Sequence, residues 1–227
     1  MKKNLVIFVL LSFMAFSVSA QIPSDRGDVN GDGNVDVSDV VSLVNIILKG
    51  DVHLYCPDNN HPHMIDLGLP SGTLWACCNV GANAPEGYGG YYGWGSTEMY
   101  AHASVSQDIS DIAGTKYDVA HVKWGGNWQM PTLEQIRELN NCTYKWTTLN
   151  GVQGGQLTGS NGGSIFLPAA GYSQGSTLYD VLSRGSFWSS TLVKSGYAYG
   201  FTSSSNGIGS LVSTIYDYRS VRPVIKK

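Results

Sequence analysis

The order of hydrophobic and polar positions divides this chain of 227 residues into three stretches of different texture. The first is an unbroken apolar run over 5–16. The second carries a stripe of apolar residues at the spacing of one helix face, namely Val40, Leu43, Val44, Ile47 and Leu48. From 56 onward, short apolar segments alternate with glycine-rich turns, and this pattern predicts short strands.

The beginning of the chain has the pattern of a secretory signal peptide. Lys2 and Lys3 precede the apolar run, and small residues follow it at 18–20. The run is shorter than the roughly 20 residues that a membrane-spanning helix needs. We therefore predict cleavage after Ala20, and a bacterial protein that is secreted, periplasmic or held at the cell surface, without a membrane span after cleavage.

Several segments of the third stretch predict individual elements. Residues 63–82 fit two short strands around a Pro-Ser-Gly turn. Residues 130–142 predict a helix, because Thr132 and Gln135 form a capping box ahead of an apolar side. Further short strands are expected at 164–172, 186–192, 197–205 and 216–225.

Composition also favours short strands and long ordered loops over helices. Charged residues make up 14% of the chain, against about 25% in typical globular proteins. Gly, Tyr and Trp number 28, 13 and 6. The net charge of −3 argues against a nucleic-acid partner, because such a partner favours a basic face. Four cysteines in an exported chain predict disulfides rather than a metal site.

The segment RGDVNGDGNVDVSD, residues 26–39, has the spacing of a calcium-binding loop. Oxygen-bearing side chains recur at alternate positions, and Gly33 stands where such a loop turns sharply. The predicted Ca²⁺-binding residues, one of them acting through its backbone carbonyl, are Asp28, Asn30, Asp32, Asn34, Asp36 and Asp39. The alternative is an ordinary surface turn rich in Asp, Asn and Gly.

Residues 27–50 resemble one repeat of a type I dockerin, because the loop is followed by an apolar helix but is not preceded by one. Asp39 stands where an EF-hand has Glu, and no second repeat follows. A helix this apolar needs partners on most of its circumference. The resemblance implies docking onto a cohesin-like or other cell-surface protein; the following domain or a second chain could also cover the helix.

The stretch beyond 56 resembles the Fibrobacter succinogenes major paralogous domain. The matching segments follow the family order over 56–225: IDLGLPSGTLWA, CNVGA, YGGYYGWG, WGGNWQMPTLEQ, NNCTYKWTT, NGGSIFLPAAGY, FWSST and SVRPV. The resemblance implies an α+β, C-type-lectin-like fold with short strands, one or two helices and a long ordered loop region. It also implies an exported or cell-surface protein.

These interpretations divide the chain into four parts. We predict a signal peptide at 1–20, a dockerin-like calcium loop and helix at 21–50, a linker at 51–55 and the C-type-lectin-like domain at 56–227. The first part would be absent from the mature protein.

Members of the resembled family often have cysteines at the positions of Cys78 and Cys142. The resemblance therefore implies a Cys78–Cys142 disulfide, with Cys56–Cys77 as the second pair. Cys77 and Cys78 are neighbours on a predicted strand and face opposite sides, so they cannot meet the same partner. A Cys56–Cys142 link would overturn this pairing.

Candidate catalytic and zinc-binding groups have ordinary structural explanations. Two acid pairs could be imagined as glycosidase carboxylates, but no motif supports them: Asp66 with Glu98, and Glu134 with Glu138. His61 and His63 lack a spaced third zinc ligand, so we expect them to anchor a loop. Most of the tryptophans are predicted core residues, and the sugar-binding calcium motif of true C-type lectins is absent.

The best candidate binding surface is the C-terminal stretch 194–219, which is rich in Tyr, Ser and Gly. Rigid tyrosine rings with small adaptable neighbours suit ligand binding. In the variable proteins of diversity-generating retroelements, which share the C-type-lectin-like fold, this stretch forms the ligand face. The predicted ligand-binding residues are Tyr197, Tyr199, Tyr216 and Tyr218. The alternative is alternate in-and-out packing of barrel-like strands.

The sequence therefore predicts an exported, non-enzymatic interaction or adhesion protein, with a calcium-binding docking element and a ligand-presenting domain. The alternative is an accessory glycan-binding or scaffold-recruited component of polysaccharide degradation, because dockerins mostly carry glycoside hydrolases to complexes. The domain beside the docking element matches no hydrolase, so such a role would be recruitment or glycan binding.

Overall fold

The computed structural model describes residues 63–106 and 108–225, together with Val37, Val40 and Val41. These three valines are helical and exposed, so the helix predicted from the apolar stripe is confirmed at Val40. The rest of the stripe, the signal peptide and the six predicted calcium-binding residues lie outside the described residues. Nowhere in the described chain is a helix both long and apolar enough to cross a bilayer.

The chain divides into two compact units, Met1–Val44 and Asn45–Lys227. The described part of the second unit is mixed but mostly β, with many short strands and few helices. This composition agrees with the predicted α+β class at a coarse level.

Two antiparallel sheets of four strands join segments that are far apart in the sequence. The first contains, in spatial order, β1 (Met64–Asp66), β2 (Leu74–Ala76), β14 (Val224–Ile225) and β4 (Trp128–Gln129). The second contains β3 (Tyr92–Gly93), β13 (Tyr218–Arg219), β8 (Tyr172–Gln174) and β9 (Thr177–Tyr179). The last strand, β14, lies between two early ones, so the end of the domain completes the sheet that its beginning starts.

Two further sheets are formed by consecutive antiparallel strands. One contains β5 (Thr143–Leu149), β6 (Val152–Thr158) and β7 (Ser164–Pro168). The other contains β10 (Arg184–Lys194), β11 (Tyr197–Ser204) and β12 (Gly207–Thr214). The strands predicted around the Pro-Ser-Gly turn, at 164–172, at 186–192 and at 197–205 are all present.

Two short helices accompany the sheets, α1 (Val119–Trp124) and α2 (Leu133–Glu138). The predicted capping box of α2 is confirmed, because the Thr132 side chain accepts from the Gln135 backbone and the Gln135 side chain accepts from the Thr132 backbone. Helix α1 was not predicted, since its six residues are too few to show helical periodicity.

The β5–β6 hairpin was also not predicted, because Gly154 and Gly155 disfavour a strand on propensity alone. In the structure these glycines admit aromatic rings. A Cβ on Gly154 would lie 2.5 Å from Phe166 Cζ, and one on Gly155 would meet the Tyr144 ring. The rings of Phe166 and Tyr144 therefore pack against the backbone of these glycines, in the space that side chains would otherwise occupy.

Two large hydrophobic clusters form the core. The first contains Trp94 and Trp188, and the second contains Trp75, Phe187 and Phe201. The rings of Phe187 and Phe201 stack with their centroids 4.9 Å apart. The prediction of core tryptophans is confirmed for five of the six, because Trp146 alone is half-buried.

The predicted Cys78–Cys142 disulfide is not formed in the structure. Cys77, Cys78 and Cys142 are free thiols, and Cys56 lies outside the described residues. Cys77 and Cys78 follow the end of β2, and both lie in the first core cluster rather than on opposite faces of a strand. Cys142 packs against the second cluster, so Cys78 and Cys142 lie in different parts of the core.

Candidate ligand-binding site

Five aromatic rings from three separate segments meet at one surface of the second unit. We call this group the aromatic patch: Tyr91, Tyr100, His102, Tyr216 and Tyr218. The ring centroids of Tyr91 and Tyr100 are 5.9 Å apart, and those of Tyr100 and Tyr218 are 5.5 Å apart. These separations are within the range of favourable aromatic contacts.

His102 is the centre of the patch. Its ring stacks on Tyr218 at 4.9 Å, and its Nε2 is 2.8 Å from Tyr218 Oη. Tyr216 meets the His102 ring edge-on at 5.4 Å. Tyr216 is 62% exposed and Tyr100 is 46% exposed, whereas Tyr218 is 7% exposed. Tyr100 therefore contacts the buried Tyr218 directly, and Tyr216 contacts the exposed His102 ring that stacks on Tyr218.

Glycines in the YYGWG segment allow the patch to form. A Cβ on Gly93 would collide with the carbonyl oxygen of Ala101 and lie 3.1 Å from His102 Nδ1. A Cβ on Gly95 would collide with the side chain of Val105. Only residues without a side chain let the segment that carries His102 lie this close to β3.

Tyr100 has a left-handed backbone with φ of 52°, which a residue with a side chain adopts at a cost of about 1–3 kcal/mol. Its backbone N–H donates to Tyr91 O over 3.0 Å, and the neighbouring Met99 forms a bridge with Tyr92. These contacts hold the strained conformation, and Tyr100 stands beside the rings of Tyr91 and Tyr218.

A buried ionic network fixes the strand beneath the patch. Arg219 Nη2 is 3.0 Å from Asp217 Oδ2, and both side chains are almost wholly buried. Ser213 Oγ donates to the same carboxylate oxygen over 2.6 Å, and Gln174 Nε2 donates to Asp217 Oδ1 over 3.1 Å. Arg219 Nη1 also donates to Ser186 Oγ. Because these residues flank Tyr218, they restrain the backbone that presents Tyr216.

Two rings enclose the Arg219 guanidinium. Its Cζ is 4.6 Å from the centroid of Tyr172 and 5.2 Å from that of Trp188, which is cation–π geometry. Burial lowers the pKa of Arg219, and Asp217 opposes that shift. The guanidinium stays charged, because its ordinary pKa is far above neutral pH.

A groove of about 360 Å³ borders the patch. Trp94, Leu192 and Ile215 provide apolar lining, and Ser104 and Ser195 provide hydroxyl groups. His102 and Tyr216 belong to both the groove and the patch. Among the described residues that line the groove, none is an Asp, Glu, Lys or Arg. The groove therefore suits an uncharged part of a ligand.

The structure separates the four tyrosines predicted to bind ligand. Tyr216 is exposed in the patch, but Tyr218 is buried and supports the other rings instead of presenting its own. Tyr197 is 43% exposed on β11 under the Lys194 ammonium, which is 5.2 Å from its centroid, and the half-buried Tyr199 pairs with Val212. The structure therefore brings Tyr216 and Tyr218 together in the patch, whereas Tyr197 and Tyr199 lie on β11 outside it.

Tyr100 and His102 were not predicted. The segment MYAHAS places an aromatic residue and an imidazole two positions apart, which is the one local signal for them. Their contact with Tyr218, more than one hundred residues later, depends on the pairing of β3 with β13.

The other candidate groups have structural partners. His63 Nδ1 is 3.5 Å from Cys77 Sγ, which agrees with an anchoring role, and His61 lies outside the described residues. Glu134 pairs with Arg137, and Glu138 accepts from Ser71. In the part of the chain that the structure describes, no three His, Cys, Asp or Glu residues assemble into a group that could hold a metal ion.

Comparisons with known proteins found no relative of this chain. No family model, no curated protein and no solved structure matched it.

Proposed function

We propose that this chain is an exported, non-enzymatic interaction protein that binds a ligand through the aromatic patch and its groove. One observation carries the proposal: two exposed tyrosine rings, Tyr100 and Tyr216, are held beside a groove of ligand size by a histidine–tyrosine contact and a buried ionic network. Interaction surfaces are enriched in such rings, since each supplies a large contact area with few rotatable bonds.

Preorganisation supports binding as the role of this surface. Association loses side-chain freedom, and rings that are already fixed lose less. His102 is stacked and hydrogen-bonded to Tyr218 before any ligand arrives, and Tyr100 is held by its backbone hydrogen bond to Tyr91 and by the neighbouring Met99–Tyr92 bridge. A ligand therefore binds to a surface whose side chains already lost most of their conformational freedom during folding.

The chemistry of the groove favours binding over catalysis. A hydrolytic site needs a nucleophile within hydrogen-bond reach of a base. His102 uses Nε2 for Tyr218, and the hydroxyl of Ser106 is directed at Asp108, 3.4 Å away. The groove hydroxyls are suited to hydrogen bonding with a ligand.

The proposal extends to the fold and to the N-terminal segment. The C-type-lectin-like fold is supported by the mixed, mostly β composition and by long ordered loops that carry the binding residues. A dockerin-like docking element at 27–50, organised by Ca²⁺, is supported by the loop spacing and by the exposed helical residues Val40 and Val41. Its partner would be a cohesin-like or other cell-surface protein.

The patch is tested with the mature chain, residues 21–227, on an array of glycans and extracellular bacterial proteins. Tyr216→Ser and Tyr100→Ser are expected to reduce binding to any hit at least about tenfold, because exposed hot-spot rings contribute on the order of 2 kcal/mol. Tyr197→Ser is the matched control, since it removes an exposed ring outside the patch. Equal loss in all three variants, or loss in none, would contradict the proposal.

The docking element is tested separately by calorimetric titration of the mature chain with Ca²⁺. Asp28→Ala together with Asp32→Ala should abolish the binding heat, because both carboxylates are predicted to bind the metal directly. Absence of calcium binding in the unaltered chain would end this part of the proposal and leave the patch untouched.

A further inference from the structure

A second concave site lies on the sheet formed by β5, β6 and β7. It is a pocket of about 330 Å³, within the range of sites that hold small molecules. The strands supply its floor and polar rim, while Ile65, Cys77 and Pro85 supply the opposite wall. We call it the β5 pocket.

Strand register places the floor residues on one face. Gln156 pairs with Lys145 on one side and with Phe166 on the other, so their side chains share a face of the sheet. The Phe166 ring lies over the bare backbone of Gly154, where a Cβ would be 2.5 Å from its Cζ. Because Gly154 has no side chain, the Phe166 ring can lie close to the sheet and form the aromatic floor of the pocket.

A buried guanidinium holds the floor and the wall together. Arg222 Nη2 donates to Phe166 O over 2.8 Å, and Arg222 Nη1 donates to Cys77 O over 2.6 Å. Arg222 is fully buried. Because one side chain bonds the backbone on both sides of the pocket, the pocket keeps its shape without a ligand.

The lining carries no charge in the described residues. Apolar contacts come from Ile65, Pro85, Leu149, Ile165 and Phe166. A hydrogen bond with Cys78 and burial raise the pKa of the Cys77 thiol well above its usual range, so the thiol is neutral at pH 7. A charged ligand would lose its hydration here without gaining a counter-charge from the lining, since Lys145 is exposed and is not among the described residues that line the pocket.

Polar side chains of the lining are able to form hydrogen bonds with a ligand. The side chains of Thr147, Gln156 and Ser164 line the pocket, and none of them has a hydrogen-bond partner among the described residues. Few polar groups over an apolar floor are typical of sites that orient a small molecule.

We infer that the β5 pocket binds a small, uncharged ligand with a flat apolar body and a hydroxyl or amide group. The apolar body would lie on Phe166 and Leu149, and its polar group would bond Gln156 or one of the neighbouring hydroxyls. This site is separate in residues and in chemistry from the aromatic patch, so it stands whether or not the patch binds a ligand.

The charge requirement is tested by titrating the mature chain with three probes of similar shape. Benzamide is neutral, benzoate is an anion and benzylamine is a cation at pH 7. Calorimetry or ligand-observed NMR should show saturable binding of benzamide at one site, at least about tenfold tighter than either charged probe. Equal affinity for all three probes, or no saturable binding of benzamide, would overturn the inference.

The location is tested by closing the pocket from its exposed rim. Ser164→Trp and Thr148→Trp each place a large ring at the mouth, and either should weaken benzamide binding at least about tenfold. Thr143→Trp is the matched control, because Thr143 is exposed on β5 but does not line the pocket. Benzamide binding that survives both blocking variants, or that Tyr216→Ser also removes, would place the probe elsewhere and reject the site.

Discussion

The aromatic patch and the β5 pocket are both anchored by arginines of the closing segment, but through different kinds of contact. Under the patch, Arg219 bonds side chains, chiefly the Asp217 carboxylate. Behind the pocket, Arg222 bonds the backbone carbonyls of three residues and the Asn79 side chain. The hydrogen bonds of Arg219 to side chains position the rings of the patch on strands that are already arranged. The hydrogen bonds of Arg222 to backbone carbonyls fix the path of the backbone itself.

The largest effect is therefore expected for Arg222→Met. The variant leaves three buried carbonyl oxygens without this donor, at about 1–3 kcal/mol each, so the free energy of unfolding should fall by at least about 3 kcal/mol. Urea unfolding followed by tryptophan fluorescence measures the change. Arg184→Met is the control, because that side chain is half-exposed in its pair with Asp180 and should change stability by at most about 1 kcal/mol. Similar losses in both variants would contradict the role given to Arg222.

Asp217→Asn should have the next largest effect, because it leaves the buried Arg219 charge without its anion. We expect a loss of about 2–3 kcal/mol, since the amide oxygen keeps part of the hydrogen bonding. The same variant should lose ligand binding at the patch and keep benzamide binding in the β5 pocket. Asp180→Asn, in an exposed pair, is the control, and loss of both binding activities would show that the two regions are not independent.

Gly93→Ala tests whether close backbone approach builds the patch. The added Cβ would displace the segment that carries His102, and overpacking of this kind typically costs about 2 kcal/mol. Gly209→Ala is the matched control in β12, where the nearest atom is the flexible Thr202 hydroxyl at 3.3 Å. Thermal unfolding and the patch-binding assay together measure the result. Unchanged patch binding in the Gly93 variant would mean that the close approach is dispensable.

The smallest effect is expected for Tyr91→Phe and depends on pH. Burial first, and the nearby Tyr100 and Tyr88 second, raise the pKa of Tyr91 to about 12 from an ordinary 10.0. The folded protein holds the Tyr91 proton more tightly than the unfolded chain does. The contribution of Tyr91 to the free energy of unfolding is therefore complete below pH 10 and is lost as the pH rises through about 12.

The variant should lose about 1 kcal/mol below pH 10, where the Tyr91 hydroxyl donates to Ala170 O over 2.5 Å. Its stability should then fall less steeply than that of the unaltered chain at higher pH. Thermal midpoints at a series of alkaline pH values measure both effects. Parallel pH curves for the two proteins would contradict the raised pKa.

Short-range signals predicted several elements correctly. The Thr132 capping box and the Pro-Ser-Gly turn involve residues within a few positions of one another, so their geometry is encoded locally. Helix α1 lacked such a signal in its interior, although the side chain of Asp118 caps it through the backbone N–H groups of Ala120 and His121. Its N-terminus, rather than its periodicity, identifies this helix.

The candidate site was predicted less well, because alternation along a strand does not say which face is covered. Tyr216 and Tyr218 have the same spacing as Tyr197 and Tyr199, yet one of the first pair is exposed and the other buried. The difference arises because Tyr216 lies in the turn before β13, whereas Tyr218 is on β13 between β3 and β8. The Cys78–Cys142 disulfide that the family resemblance implied is not formed, because Cys78 lies in the first core cluster and Cys142 packs against the second.

Sequence patterns alone were enough to place the capped helix, the Pro-Ser-Gly turn, about half of the strands and most of the buried tryptophans, because these depend on neighbours in sequence and on hydrophobicity. The arrangement of Tyr100, His102 and Tyr216, and the shape of the pocket in front of Arg222, came from contacts between residues more than one hundred positions apart. Strand pairing and close packing at glycines decide which of many possible long-range contacts form, and both exist only in the folded protein.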